Sequence, residues 1–283
     1  MYYYALVSAA VVMFSFMFLL NEQYEKESGT ALTAIFKFSL GTSAAGFVIL
    51  FAMNGFRLEL TPFSAAVALW AVVNNLLYTL CSIRSLSKIN LSLFSIFAML
   101  GGMTVPFIAG ILFYDEPMTI GKALCFILIA VSLFFTFQKG EGKKGFIYYA
   151  GVFITNGMSG VISKFYSEAG CHKASSNGYS AQIALFSVIA AFIILLCIKG
   201  DKSLPKKKSL FCMAGCGIVS NVANFILLIA LSHLPASAQY PFVTGGVMIV
   251  STVICAFTPN KPKKREIAAV VLSFAGIMCL LLT

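Results

Sequence analysis

The chain has 283 residues, 59% hydrophobic and 11% charged, with a mean hydropathy of +0.92 and a net charge of +10. A water-soluble domain carries about 25% charged residues, so this composition excludes an ordinary soluble globule. The basic excess sits in short connections rather than on one face, which points to anionic lipid headgroups and away from nucleic acid. Eight cysteines are scattered, mostly inside or beside apolar runs and without CxxC spacing. They suggest neither a disulfide framework nor a metal site.

Apolar runs of about 20 residues recur along the whole chain, the length needed to cross a bilayer as a helix. Ten helices are expected, at 2–20, 31–53, 62–84, 90–113, 118–137, 146–165, 177–198, 208–231, 236–257 and 266–283. The breaks between them are polar: NEQYEKESG, NGFRLELTP, SLSKIN, YDEP, QKGEGKKG, EAGCHKASSNG, KGDKSLPKKK, SHLP and TPNKPKKRE. The first run lacks a basic leader and a small-residue cleavage site, so it reads as a retained helix rather than a signal peptide.

The chain also repeats itself. A shift of 145 residues places Leu86, Ser87, Ser92, Phe97, Gly101, Met103, Val105, Pro117, Ala123 and Ala130 on Leu231, Ser232, Ser237, Phe242, Gly246, Met248, Val250, Pro262, Ala268 and Ala275. Without a gap, it also lays Tyr3-Tyr4-Ala5 on Tyr148-Tyr149-Ala150. Two copies of one unit follow, residues 1–138 and 146–283. Each unit holds five helices, an odd number, so the second is expected to enter the membrane inverted. The expected fold is therefore an all-α polytopic membrane protein of ten transmembrane helices in two inverted five-helix repeats. Inverted repeats are a transporter architecture, with the solute site near the midplane where the halves meet.

Loops 1–2, 3–4, 5–6, 7–8 and 9–10 hold most of the Lys and Arg. The opposite side has Arg57, Lys122, Lys164 and Lys173. The positive-inside rule puts both termini outside.

The segment VPFIAGILFYDEPMTIGKALCFILIAVSLFF places Pro106 in the fourth helix, Glu116 after the run, and Gly121 early in the next helix. With five plus five helices and this length, the chain resembles the EamA-like family of the drug/metabolite transporter superfamily over essentially its whole extent. The resemblance implies export or exchange of small organic metabolites across a cytoplasmic membrane, and cytoplasmic termini, against the charge count. The second copy departs from the pattern, with Lys261 in place of the acidic residue.

Lys37 lies about seven residues into the second helix, roughly 8 Å from its centre at 1.5 Å per residue. A charge at that depth costs about 2.5–3.5 kcal/mol unless it meets water or a partner. Lys37 is thus expected to hold an anionic group of the solute, with snorkelling to the interface as the alternative. Its repeat partner is Gln182. Asn74, Asn75 and Tyr78 cluster near the centre of the third helix, and Ser220, Asn221 and Asn224 at the matching depth of the eighth. Buried amides need partners, and two clusters related by the repeat suit a central polar cavity; interhelical hydrogen bonding is the alternative. Asn156 adds an amide from the sixth helix, and Ser92, Ser95, Ser237, Gln239 and Tyr240 add hydroxyls and an amide from the fourth and ninth.

The acidic residues all fall in loops or at helix edges, which argues against a proton pump built on a mid-membrane carboxylate. Neither a Ser/His/Asp set, a P-loop, GxGxxG nor metal-ligand spacing is present, and His172 and His233 both fall in loops. No enzyme activity, catalytic residue, metal or cofactor is expected. The reading is a multi-pass carrier in the cytoplasmic membrane, moving a small polar organic metabolite such as an amino acid or organic acid by alternating access. Its partners are that solute and the anionic-headgroup bilayer. An exporter of cationic or lipophilic drugs, and a non-transporting scaffold or accessory subunit, are the alternatives.

Overall fold

Apolar runs become helices and polar breaks become connections almost throughout the computed structural model. It describes residues 2–113, 118–136, 143–200, 203–231, 236–259 and 261–279. Ten helices form among them: α1 (Tyr2–Ser28), α2 (Leu32–Met53), α3 (Pro62–Leu86), α4 (Leu91–Phe113), α5 (Ile120–Thr136), α6 (Lys143–Glu168), α7 (Ser176–Cys197), α8 (Lys207–Leu231), α9 (Ala236–Ala256) and α10 (Lys264–Cys279). Glu116, Pro117, Ser232 and His233, and the side chains of Ser237, Gln239 and Tyr240, lie outside the described residues.

Local chemistry explains several ends. Thr61 caps α3, its hydroxyl accepting from Ser64 N–H, and Pro62 takes the first helical turn, where its missing N–H is harmless. Ser175 caps α7 by accepting from Gly178 N–H. The first helix departs from expectation, continuing through the polar segment to Ser28. Tertiary contacts hold that extension. Tyr24 Oη donates to Ala34 O at 2.7 Å and Ser28 and Ser209 share a hydroxyl bond at 2.8 Å; within the helix itself, Lys26 pairs with Glu22 one turn back at 2.7 Å.

Seven helices, α1 to α4 and α6 to α8, are long and apolar enough to cross a bilayer. Ile120–Phe134 and Phe242–Ala256 form shorter apolar stretches. The chain is a multi-pass membrane protein in its helices and their composition.

The helices pack in a regular scheme. α1 lies against α8 and α9, and α6 against α3 and α4; α2 packs on α7, α4 on α9, and α5 on α10. Contact register gives the directions. Ser28 meets Ser209 while Asn21 meets Cys216, so α1 and α8 are antiparallel. Ser64 meets Tyr166 while Arg84 meets Tyr148, so α3 and α6 are antiparallel too. α4 and α6 run parallel, Gly101 lying on Phe153 and Pro106 on Gly160. α2 and α8 also run parallel, Gly41 lying on Met213 and Gly46 on Asn221.

Small residues make the α4–α6 approach possible. A Cβ added to Gly101 would overlap the Phe153 carbonyl, and one on Gly157 would overlap Val105. Without a hydrophobic driving force between helices in lipid, such close backbone packing is a main source of association. The largest core cluster joins α1, α4, α5, α6, α9 and α10 around Phe18, Phe94, Ile96 and Leu100.

Candidate functional site

Exposure around each helix separates lipid-facing from inward residues. On α8, Phe211, Ile218, Phe225 and Ile229 are exposed and share one face. At 100° per residue, Asn224 lies about 120° away from that stripe, on the side that carries Gly217 and Ser220. Asn224 is nevertheless exposed. On α3 the exposed stripe is Leu69, Trp70, Val73 and Leu77, and Asn75 lies roughly opposite it, on the inner side. Tyr78 stands between Asn75 and the α6 side, within electrostatic reach of Cys216 on α8. The inward faces of α3 and α8 thus carry Asn75, Tyr78, Ser220 and Asn224.

The other amides are committed to packing. Asn74 is buried and donates to Thr155 O and Ser159 Oγ on α6, both at 2.9 Å. Asn156 donates to Ala98 O on α4 at 2.6 Å. Asn221 donates to Gly217 O one turn back and lies over Gly46 of α2. Adjacent positions in sequence therefore have different work: Asn74 joins two helices, while Asn75 makes no side-chain hydrogen bond among the described residues.

Lys37 and Gln182 lie away from that centre. Lys37 Nζ donates to Ser203 O at 2.6 Å, in the connection between α7 and α8. This is the snorkelling alternative, with a named carbonyl as its end point. Gln182 is fully buried and donates to Glu59 O, in the connection between α2 and α3. The structure therefore leaves Asn75, Tyr78, Ser220 and Asn224 on the inward sides of α3 and α8, and puts Lys37, Asn74, Asn156, Gln182 and Asn221 in hydrogen bonds of their own.

Glu22 departs from the sequence reading, and Glu59, in a connection as expected, takes on a structural role. Glu22 is 2% exposed within the extended α1. One of its oxygens binds Lys26 and the other has no hydrogen-bond partner among the described residues. Glu59 clamps the start of α7: Ser175 N–H donates to Oε2 at 2.7 Å and Ser175 Oγ to Oε1 at 3.0 Å. These bonds to the ionised form hold the Glu59 carboxyl below its ordinary pKa. Sequence patterns give no sign of either role, because both depend on which connection folds over which helix.

The bundle is closed at the end that carries the basic connections. There Phe18 packs edge-on to Phe94 at 5.1 Å, and Phe97 meets Tyr149 at 5.0 Å. Leu86, Tyr78 and Cys81 pack against the same cluster. α1 touches both α3 and α4. The repeat-related approaches, α6 to α8 and α6 to α9, are not made to a similar extent among the described residues.

No family model matches the sequence, and no curated protein does. Among solved structures, a crystal structure described only as that of a protein matches over 97% of this chain and 98% of its own, with a TM-score of 0.63 and 15% identity. At that identity the likeness is one of fold.

Proposed function

We propose that this chain is a carrier of a small polar organic solute, built from two inverted five-helix units that span the membrane ten times. The helix pairing supports the two units, because exchanging α1–α5 for α6–α10 turns α1 on α8 into α6 on α3, and α1 on α9 into α6 on α4. The directions support the inversion: α1 runs against α8, α8 along α2, α2 turns back into α3 through the short connection at 54–61, and α3 runs against α6. The Pro106 segment carries the EamA-like resemblance, and a cytoplasmic membrane location is what that resemblance implies.

The single observation that carries the carrier reading is Asn224, polar and exposed on an inward helix face, with Asn75 on the inward face of the repeat-related helix. A desolvated amide in hydrocarbon is costly, so both need water or a solute. The unequal closure supports alternating access: α1 seals against α3 and α4, while α6 stands off from α8 and α9. In the exchanged state the roles of the two units reverse. The solute contacts are then Asn75, Tyr78, Ser220 and Asn224, which offer amide and hydroxyl groups and no charge. With Lys37 bound to a loop carbonyl, an obligatory anion is no longer required, and zwitterionic or neutral solutes fit as well.

A thermal-stability screen of purified protein against amino acids, organic acids, sugar phosphates and quaternary amines tests this. At least one polar class should raise the melting temperature, and Asn75→Leu with Asn224→Leu should abolish that rise. A rise that survives the double substitution would place the solute elsewhere.

A further inference from the structure

An apolar groove of about 780 Å³ runs along α6 between α3 and α4. Trp70, Ile108, Leu112, Val161 and Phe165 supply most of its wall, and Glu168 stands at its mouth. Its volume lies within the range of about 300–1,000 Å³ typical of small-ligand sites. It belongs to the outside of the bundle: Met158, Val161 and Phe165 share a face of α6 roughly opposite Val152 and Asn156, which point inward. The groove is separate from the inward faces of α3 and α8.

We propose that this groove holds one acyl chain of a bilayer phospholipid with an amine-bearing headgroup. Three observations lead there. Trp70, Ile108, Leu112 and Phe165 are all exposed, and Trp70 continues the lipid-facing stripe of α3, so the groove opens onto hydrocarbon. The mouth carries both signs of charge, Lys164 Nζ and Glu168 Oε1 lying 4.0 Å apart on the same face. That pair matches a zwitterion, phosphate to Lys164 and ammonium to Glu168. The repeat-related surface differs at one point: Trp70 corresponds to Gly215 and Phe165 to Leu20, and Leu20 is buried with its Cδ1 3.0 Å from where a Gly215 Cβ would lie, while Phe16, Val253 and Phe257, the counterparts of Val161, Ile108 and Leu112, are exposed. At that point the groove is lined by Trp70 edge-on to Phe165, ring centroids 6.1 Å apart, where the related surface has glycine and leucine.

The test uses full-length protein in phosphatidylethanolamine vesicles containing a phosphatidylethanolamine probe with a photoactivatable group midway along one chain, followed by peptide mapping. Label should concentrate on Ile108–Phe113 and Met158–Phe165 above the level on the outer face of α5 (Ile120, Leu124, Ile127). Ala109→Trp and, as an independent filling of the groove, Val161→Trp should each reduce it to the α5 level. Equal label on α4, α6 and α5 in the wild-type protein would overturn the proposal without any variant. So would label unchanged in a filled variant that retains its helicity. A phosphatidylglycerol probe with the same chain should label the groove less; equal labelling would refute the headgroup match. Displacement of the label by tetraphenylphosphonium would overturn the assignment in favour of a lipophilic cation.

Discussion

Lys37 and Gln182, 145 residues apart and paired by the internal repeat, make the same tie in opposite directions. Lys37 donates to Ser203 O in the α7–α8 connection, and Gln182 to Glu59 O in the α2–α3 connection. α2 and α7 thus each fasten to a backbone carbonyl contributed by the other half of the chain, at opposite ends of the bundle. Lys37→Met should therefore keep solute movement while loosening the connection at 198–206. Limited proteolysis at Lys206–Lys208 should speed up, with transport within about twofold of wild type for the loss of one exposed bond. Loss of transport at normal expression would return Lys37 to the solute site.

Asn74 and Asn75 should separate cleanly. Asn74→Leu removes two bonds to α6 and should lower stability by about 1 kcal/mol, the usual scale for interhelical hydrogen bonds in membranes. Asn75→Leu should leave the melting temperature near wild type and reduce transport. Detergent melting curves beside vesicle uptake would check both.

The α4–α6 contact tolerates no side chain at its closest point. Gly101→Leu would drive its Cβ into the Phe153 carbonyl, a backbone atom that cannot rotate away. The expected result is loss of more than about 3 kcal/mol, above the usual range for overpacking, and failure to recover folded protein. Monodisperse Gly101→Leu at wild-type yield would contradict the contact.

Glu59 makes part of the stability depend on pH. Its folded pKa is lowered by Ser175, so its contribution is present above the ordinary carboxylate value and is lost as pH falls through the lowered folded value. Glu59→Gln should melt lower than wild type by a constant margin from neutral pH down to about pH 5, and the margin should close below the ordinary value. Glu59 is mostly solvated, so the margin will be small. A margin that widens on acidification would contradict the sign.

The ten helices were legible because apolar length and polar punctuation are properties of the chain itself. The end of α1 was not. Asn21 to Ser28 is polar enough to read as a loop, and it stays helical because Tyr24 and Ser28 find partners on the first turn of α2 and on α8. The polar clusters on α3 and α8 were also legible, since depth follows from counting residues. Depth does not give direction around the helix, however, and Asn74 and Asn75 differ by 100°. Lys37 shows the same limit: counting residues gives its distance from the helix end, while its partner, Ser203, lies 166 positions away in sequence. The groove beside Trp70 was not legible, because the Trp–Gly difference between repeat-related positions gains meaning only once α6 is seen beneath Trp70 and α1 beneath Gly215.

The central claim, a polar solute carried between the inward faces of α3 and α8, is tested most directly by counterflow. Vesicles holding this protein and loaded with an unlabelled stabilising solute should accumulate the labelled form transiently, and vesicles holding Asn75→Leu with Asn224→Leu should not. Accumulation no greater than in protein-free vesicles, for every solute class in the stability screen, would contradict the account.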